Sequence, residues 1–123
     1  MRLYKFFLLS LILLSVNAVA NDQISGVWKH TQKSAWLEIE FESDLGSLSV
    51  KRHDNNLKAA GLNVIKDITT DLNQSSQWIG KMYSAAENGY VGIVLILINP
   101  TTLSIYEISD LSKSNEILRL TRE

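Results

Sequence analysis

Apolar and polar side chains alternate with a period of two over much of this 123-residue chain, a rhythm that belongs to half-buried β-strands. From Ala35 to Glu42, Leu37, Ile39 and Phe41 fall on one face and Glu38, Glu40 and Glu42 on the other. Leu48 and Val50 resume an apolar face after a turn at Ser43-Asp44, and Trp78, Gly80 and Met82 alternate with Ile79, Lys81 and Tyr83. Glu87-Asn88-Gly89 reads as a hairpin turn, because Asn-Gly readily takes positive φ. Asn99-Pro100-Thr101-Thr102 is another turn and holds the only proline. The runs predict about eight strands, at 24–31, 35–42, 45–52, 61–68, 76–83, 89–98, 102–108 and 115–122. Hairpin-length connections make these an all-β, antiparallel up-and-down barrel, since closure removes both exposed edges. A barrel of this size either holds one small ligand or is filled by its own side chains.

Residues 57–68 are ambiguous. Leu57, Gly61, Val64, Ile65 and Ile68 fit a helical stripe, while Leu62, Val64 and Ile68 partly fit a strand. A helix would leave an odd number of strands, so a strand is expected.

The first 20 residues read as a signal peptide to be cleaved, leaving a single barrel domain at 21–123. Arg2 and Lys5 form a positive start, Phe6 to Val16 an apolar run, and Ala18-Val19-Ala20 a cleavage site. The run is shorter than the ~20 residues that span a bilayer, so no membrane span is expected after cleavage. With no cysteine in the chain, thiol chemistry, cysteine metal sites and lipoprotein acylation are excluded, and the core must hold without disulfides. The expected location is periplasmic or secreted. Loss of Arg2 and Lys5 leaves ten basic against thirteen acidic side chains. That balance argues against nucleic acid and anionic membrane surfaces as partners.

Gly26-Val27-Trp28-Lys29 opens the first strand. Such a Gly-x-Trp start resembles the opening signature of lipocalin-like barrels. Asp54-Asn55-Asn56-Leu57-Lys58 with Gly61-Leu62-Asn63-Val64-Ile65 follows, then Trp78-Ile79-Gly80-Lys81-Met82-Tyr83 and finally Leu118-Arg119-Leu120-Thr121-Arg122. In order and spacing these resemble the small exported bacterial family called domain of unknown function 2147. The resemblance spans nearly all of 21–123 and implies a lipocalin-like fold, with no established activity. The family often follows the tyrosine with Asp-Pro and a Gly-Lys turn, whereas Tyr83 precedes Ser84-Ala85-Ala86-Glu87-Asn88-Gly89. No role of that aspartate carries over. The resemblance also implies that Gly26 and Trp28 mark barrel closure, with Arg119 or Arg122 laid over the Trp28 ring through a cation–π contact.

Tyr90 to Ile98 is apolar on both faces: Val91, Ile93, Leu95 and Leu97 match Val94, Ile96 and Ile98. One face enters the barrel and the other needs a cover. The cover is the 57–68 segment, a second copy in a homodimer, or a hydrophobic partner. Val91, Ile93, Leu95 and Leu97 are assigned as the interface set. Trp36, Trp78, Tyr83 and Tyr106 are candidate liners of an apolar pocket, and equally good core residues.

Glu38, Glu40 and Glu42 read as a solvated outer face rather than acid–base or cation-binding groups. His30 and His53, the only histidines, are far apart with no metal-ligand spacing, so no metal is expected. No nucleophile elbow, zinc-protease or phosphate-loop motif is present, so neither catalytic residues nor a cofactor are expected. The leading expectation is an exported, non-catalytic barrel that binds a small hydrophobic or amphipathic ligand. The alternative is an envelope protein-interaction module, homodimeric or inhibitor-like, using the apolar face of 89–98.

Overall fold

The computed structural model describes residues 20–108 and 115–122. The expected signal peptide, apart from Ala20, lies outside the described residues. Among the described residues, no helix is long and apolar enough to cross a membrane.

Eight antiparallel strands close into a barrel in chain order. They are β1 (Gly26–His30), β2 (Ala35–Glu42), β3 (Leu45–His53), β4 (Asn63–Thr70), β5 (Gln77–Ser84), β6 (Gly89–Asn99), β7 (Thr102–Glu107) and β8 (Glu116–Thr121). Pairing of Lys29 with Thr121 and of His30 with Leu120 seals β1 to β8. The expected lipocalin-like architecture is the one observed. Because every connection reverses the chain, loops 31–34, 54–62 and 85–88 share one end of the barrel, the upper rim. Loops 43–44, 71–76 and 100–101 share the lower end.

Alternation sends one side chain in two inward. Trp28, Leu37, Ile39, Leu48, Val50, Ile65, Ile68, Trp78, Ile93, Leu95, Leu103, Ile105, Leu118 and Leu120 form the buried core, with Ile24 from the segment before β1. No buried side-chain nitrogen or oxygen among the described residues lacks a hydrogen-bond partner, as a dry core requires.

The ambiguous stretch divides in two. Leu57–Ala59 forms a single 3-10 turn with no buried residue, and β4 begins at Asn63. The three-residue step from Ile65 to Ile68 looks helical, yet both side chains are buried in the barrel. An irregularity in the β4–β5 ladder falls between Lys66 and Thr69, and there Asp67 takes φ 55°. The extra residue re-phases the strand, so a step of three returns to the same face. Gly80, opposite on β5, makes room for it: a Cβ there would lie 3.0 Å from Ile65 Cγ2 and 3.2 Å from the Lys66 carbonyl.

Candidate functional site

The lower end is closed by the segment before β1. Residues 20–24 make a helical turn in which the Gln23 and Ile24 amides donate to the Ala20 and Asn21 carbonyls. Ile24 is fully buried. Trp28 Nε1 donates to its carbonyl at 2.9 Å, and Trp78 Nε1 donates to Asn21 Oδ1 at 3.2 Å. The Arg122 guanidinium lies 4.1 Å from the centre of the Trp28 ring and donates to the Gln23 carbonyl at 2.8 Å. Gly26, at φ 107°, leaves space for it: a Cβ there would sit 3.3 Å from Arg122 Nη1. Burial lowers the Arg122 pKa.

Gly26, Trp28 and Arg122 therefore meet, and the choice between the two arginines resolves to Arg122. Arg119 is on the outer wall, its Nε 2.9 Å from Glu116 Oε2, an oxygen that also accepts from Ser104 Oγ at 2.6 Å. The contributions of Asn21 and Gln23 had no signal in the sequence; Ile24, expected to begin the first strand, instead belongs to the turn before β1, which starts at Gly26.

The four candidate pocket aromatics do not line one cavity. Trp78 is in the core. Trp36 is on the outer face of β2, with Lys29 Nζ 5.2 Å from its ring centre and the Arg52 guanidinium 4.5 Å from it. Tyr83 is exposed on β5, edge-on to Tyr90 with ring centres 5.9 Å apart. Tyr106 pairs with outward-facing Val94 across β6 and β7. Strand phase explains the dispersal: on β5, Trp78 is in phase with the inward Gly80, and Tyr83 is out of phase with both.

The interface assignment is corrected by the same logic. Ile93 and Leu95 are fully buried, and Val91 and Leu97 pack against the core. Their phase is set by pairing with Trp78 and Gly80 on β5, both buried inside the barrel. A strand apolar on both faces carries no phase of its own in the sequence. The outward set is Tyr90, Gly92, Val94, Ile96 and Ile98. Val94 is nevertheless only 5% exposed, because Ile79 and Tyr106 flank it across the two ladders. Ile108 crosses the backbone at Gly92, where a Cβ would lie 3.2 Å from its Cδ1. Tyr90 and Ile98, at the two ends of the stripe, are 56% and 51% exposed.

Clefts among the described residues lie at the lower end between Ala20, loop 71–76 and Trp78, around the β2–β3 turn, and on the outer wall of β6 and β7. One, of about 360 Å³, lies between Glu87, Tyr90, Val91, Gly92, Glu107 and Ile108. It adjoins the apolar stripe near the upper rim.

The two histidines, distant in sequence, both reach the upper rim. His30 Nδ1 accepts the Gln32 amide at 3.0 Å, and His53 Nδ1 accepts the Asn55 amide at 3.2 Å. Burial, then Lys33, Lys29 and His53, hold the His30 pKa below its ordinary value of 6.5. At His30, acceptance through Nδ1 leaves the ring proton on Nε2. Among the described residues, no three His, Asp or Glu side chains converge as metal ligands.

No protein-family model, curated protein or solved structure matches this chain.

Proposed function

We propose that this exported barrel is a non-catalytic docking module, and that its outer β5–β7 wall takes a second copy of the chain. The observation that carries this reading is the apolar stripe of β6, on the outside of a barrel whose interior is occupied by its own side chains. Closure leaves no strand edge for pairing, so association must use a face.

The stripe suits self-association. Tyr90 and Ile98 stand four residues to either side of Val94, so a two-fold axis through Val94 sets Ile98 of one copy against Tyr90 of the other. Strand geometry gives the stripe a length of about 27 Å; with its flanking side chains the face covers roughly 500 Å² per copy. A symmetric pair would bury about 1,000 Å², near the lower bound for a specific interface. The expected dimer is consequently weak and concentration-dependent.

A second reading is an amphipathic small molecule in the cleft beside Tyr90, Gly92 and Ile108. It keeps the ligand outside the filled interior.

Sedimentation velocity over a wide concentration range tests the first reading. Wild-type protein is expected to dimerise, and Ile98→Glu to stay monomeric with an unchanged circular dichroism spectrum. A wild-type protein that remains monomeric throughout overturns it. A monomer that carries an apolar compound into native mass spectrometry supports the cleft instead.

A further inference from the structure

The chain's acidic net charge conceals a polar distribution along the β1–β3 wall. Segments 29–34 and 51–62 carry Lys29, Lys33, Lys51, Arg52 and Lys58 against a single carboxylate, Asp54. Between them, 35–50 carries Glu38, Glu40, Glu42 and Asp44 with no lysine or arginine. The fold brings the two basic segments together at the upper rim. The Asp54 amide donates to the Ser34 carbonyl at 2.9 Å, and Lys29 and Arg52 both lie over the Trp36 ring. A register irregularity at Trp36/Leu37 places Trp36 opposite Arg52 and Leu37 opposite Val50, leaving Lys51 as the extra residue, and both Lys51 and Arg52 are exposed. Arg52 pairs with Asp54 at 2.7 Å. Among the described residues, Lys33, Lys51 and Lys58 have no carboxylate within ion-pair distance.

Within this basic β1–β3 side of the upper rim, whose other loop, 85–88, carries Glu87, are two leucines that the protein does not cover. Leu57 is 81% exposed and Leu62 61%. The loop that carries them is tied to β3, with the Val50 amide donating to the Leu62 carbonyl and the Gly61 amide to the Val50 carbonyl. Apolar side chains held out of a cationic rim match the composition of surfaces that enter the headgroup layer of a bilayer. The carboxylates further down the same wall orient the molecule with this rim toward negative charge.

We infer that the upper rim, through Leu57, Leu62, Lys33, Lys51 and Lys58, binds the surface of an anionic phospholipid bilayer. The lysines supply attraction within a Debye length, and the leucines enter the boundary between headgroups and acyl chains. The net charge near −3 expected of the mature chain weighed against such a partner; separation of the charges along the wall removes that objection. The inference does not depend on self-association through β6.

Flotation with vesicles of phosphatidylglycerol and phosphatidylcholine, and of phosphatidylcholine alone, tests it on the full exported chain. Wild-type protein is expected to float only with the anionic vesicles, less so as salt is raised. Lys51→Glu with Lys58→Glu should weaken binding by well over tenfold, at roughly fivefold per charge removed. Leu57→Ser with Leu62→Ser should weaken it comparably at unchanged salt dependence. All four positions are exposed, so both variants should keep the wild-type melting temperature. Absence of flotation with anionic vesicles at low salt overturns the inference. So does a leucine variant that binds as wild type, which would mean a surface reading soluble polyanions.

Discussion

The Arg122 guanidinium stacks over the buried Trp28 ring at 4.1 Å and so joins the end of the last strand to the first. The contact does more than decorate the ring. Arg122 also holds the Gln23 carbonyl, and Trp28 holds the Ile24 carbonyl, so both side chains fix the segment that closes the lower end. Arg122→Ala removes a cation–π contact of ~0.5–2 kcal/mol and a charged hydrogen bond of similar worth. The expected loss is about 2 kcal/mol, read as a lower urea midpoint with an unchanged slope. Arg119→Ala, on the outer wall, should cost under about 1 kcal/mol.

Gly26 supports the same contact from the backbone side. An L side chain at φ 107° is strained, and the new Cβ would press on Arg122 Nη1 at 3.3 Å. Gly26→Ala is expected to destabilise by about 1–3 kcal/mol. Its effect should largely vanish in an Arg122→Ala background if the clash dominates, and persist if φ dominates. A double-mutant cycle separates the two.

Strands were legible wherever one face is polar. Leu37, Ile39 and Phe41 against three glutamates leave a single inward phase for β2, and the structure adopts it. Two places were not legible, for different reasons. In β4 the bulge at Asp67 turns a strand into a period-three pattern, and nothing in Lys66-Asp67-Ile68 announces an extra residue. In β6 both faces are apolar, so the inward set is decided by β5 across the ladder, which local sequence does not contain. Arg122 could not be separated from Arg119 because the choice depends on where β8 ends.

The bulge gives a test of its own. Asp67 takes a left-handed φ of 55° and meets Lys81 only at 3.9 Å, a contact between exposed groups worth little. Asp67→Gly is therefore expected to be neutral or slightly stabilising. Asp67→Val, β-branched in the left-handed region, should cost about 1–2 kcal/mol. Equal effects from the two would show that the backbone conformation at this position is not what matters.

The phase of β6 can be read by substituting one strand at two depths. Leu95 is fully buried beside Trp78, so Leu95→Glu places an unpaired charge in the core at a cost of several kcal/mol, comparable to the whole stability of a small domain. It should be unfolded or molten by near-ultraviolet circular dichroism. Ile98→Glu, at an exposed end of the outer stripe, should remain folded within about 0.5 kcal/mol of wild type. Two folded variants would place Leu95 outside the core.

Acid should loosen the barrel through His30. Its Nδ1 accepts the Gln32 amide and must give up that bond to take a proton. Burial first, then the charges of Lys33, Lys29 and His53, hold its pKa below 6.5. A folded state that binds fewer protons than the unfolded chain gains stability as pH rises. The contribution is therefore complete above pH 6.5, the ordinary value, and is lost as pH falls through that value towards the lower folded one. His30→Asn keeps an acceptor for the Gln32 amide but does not titrate in this range. Urea midpoints measured at several pH values should fall for wild type on mild acidification, before the carboxylates protonate, and stay flatter for His30→Asn. Parallel curves for the two proteins would assign the acid sensitivity to other groups.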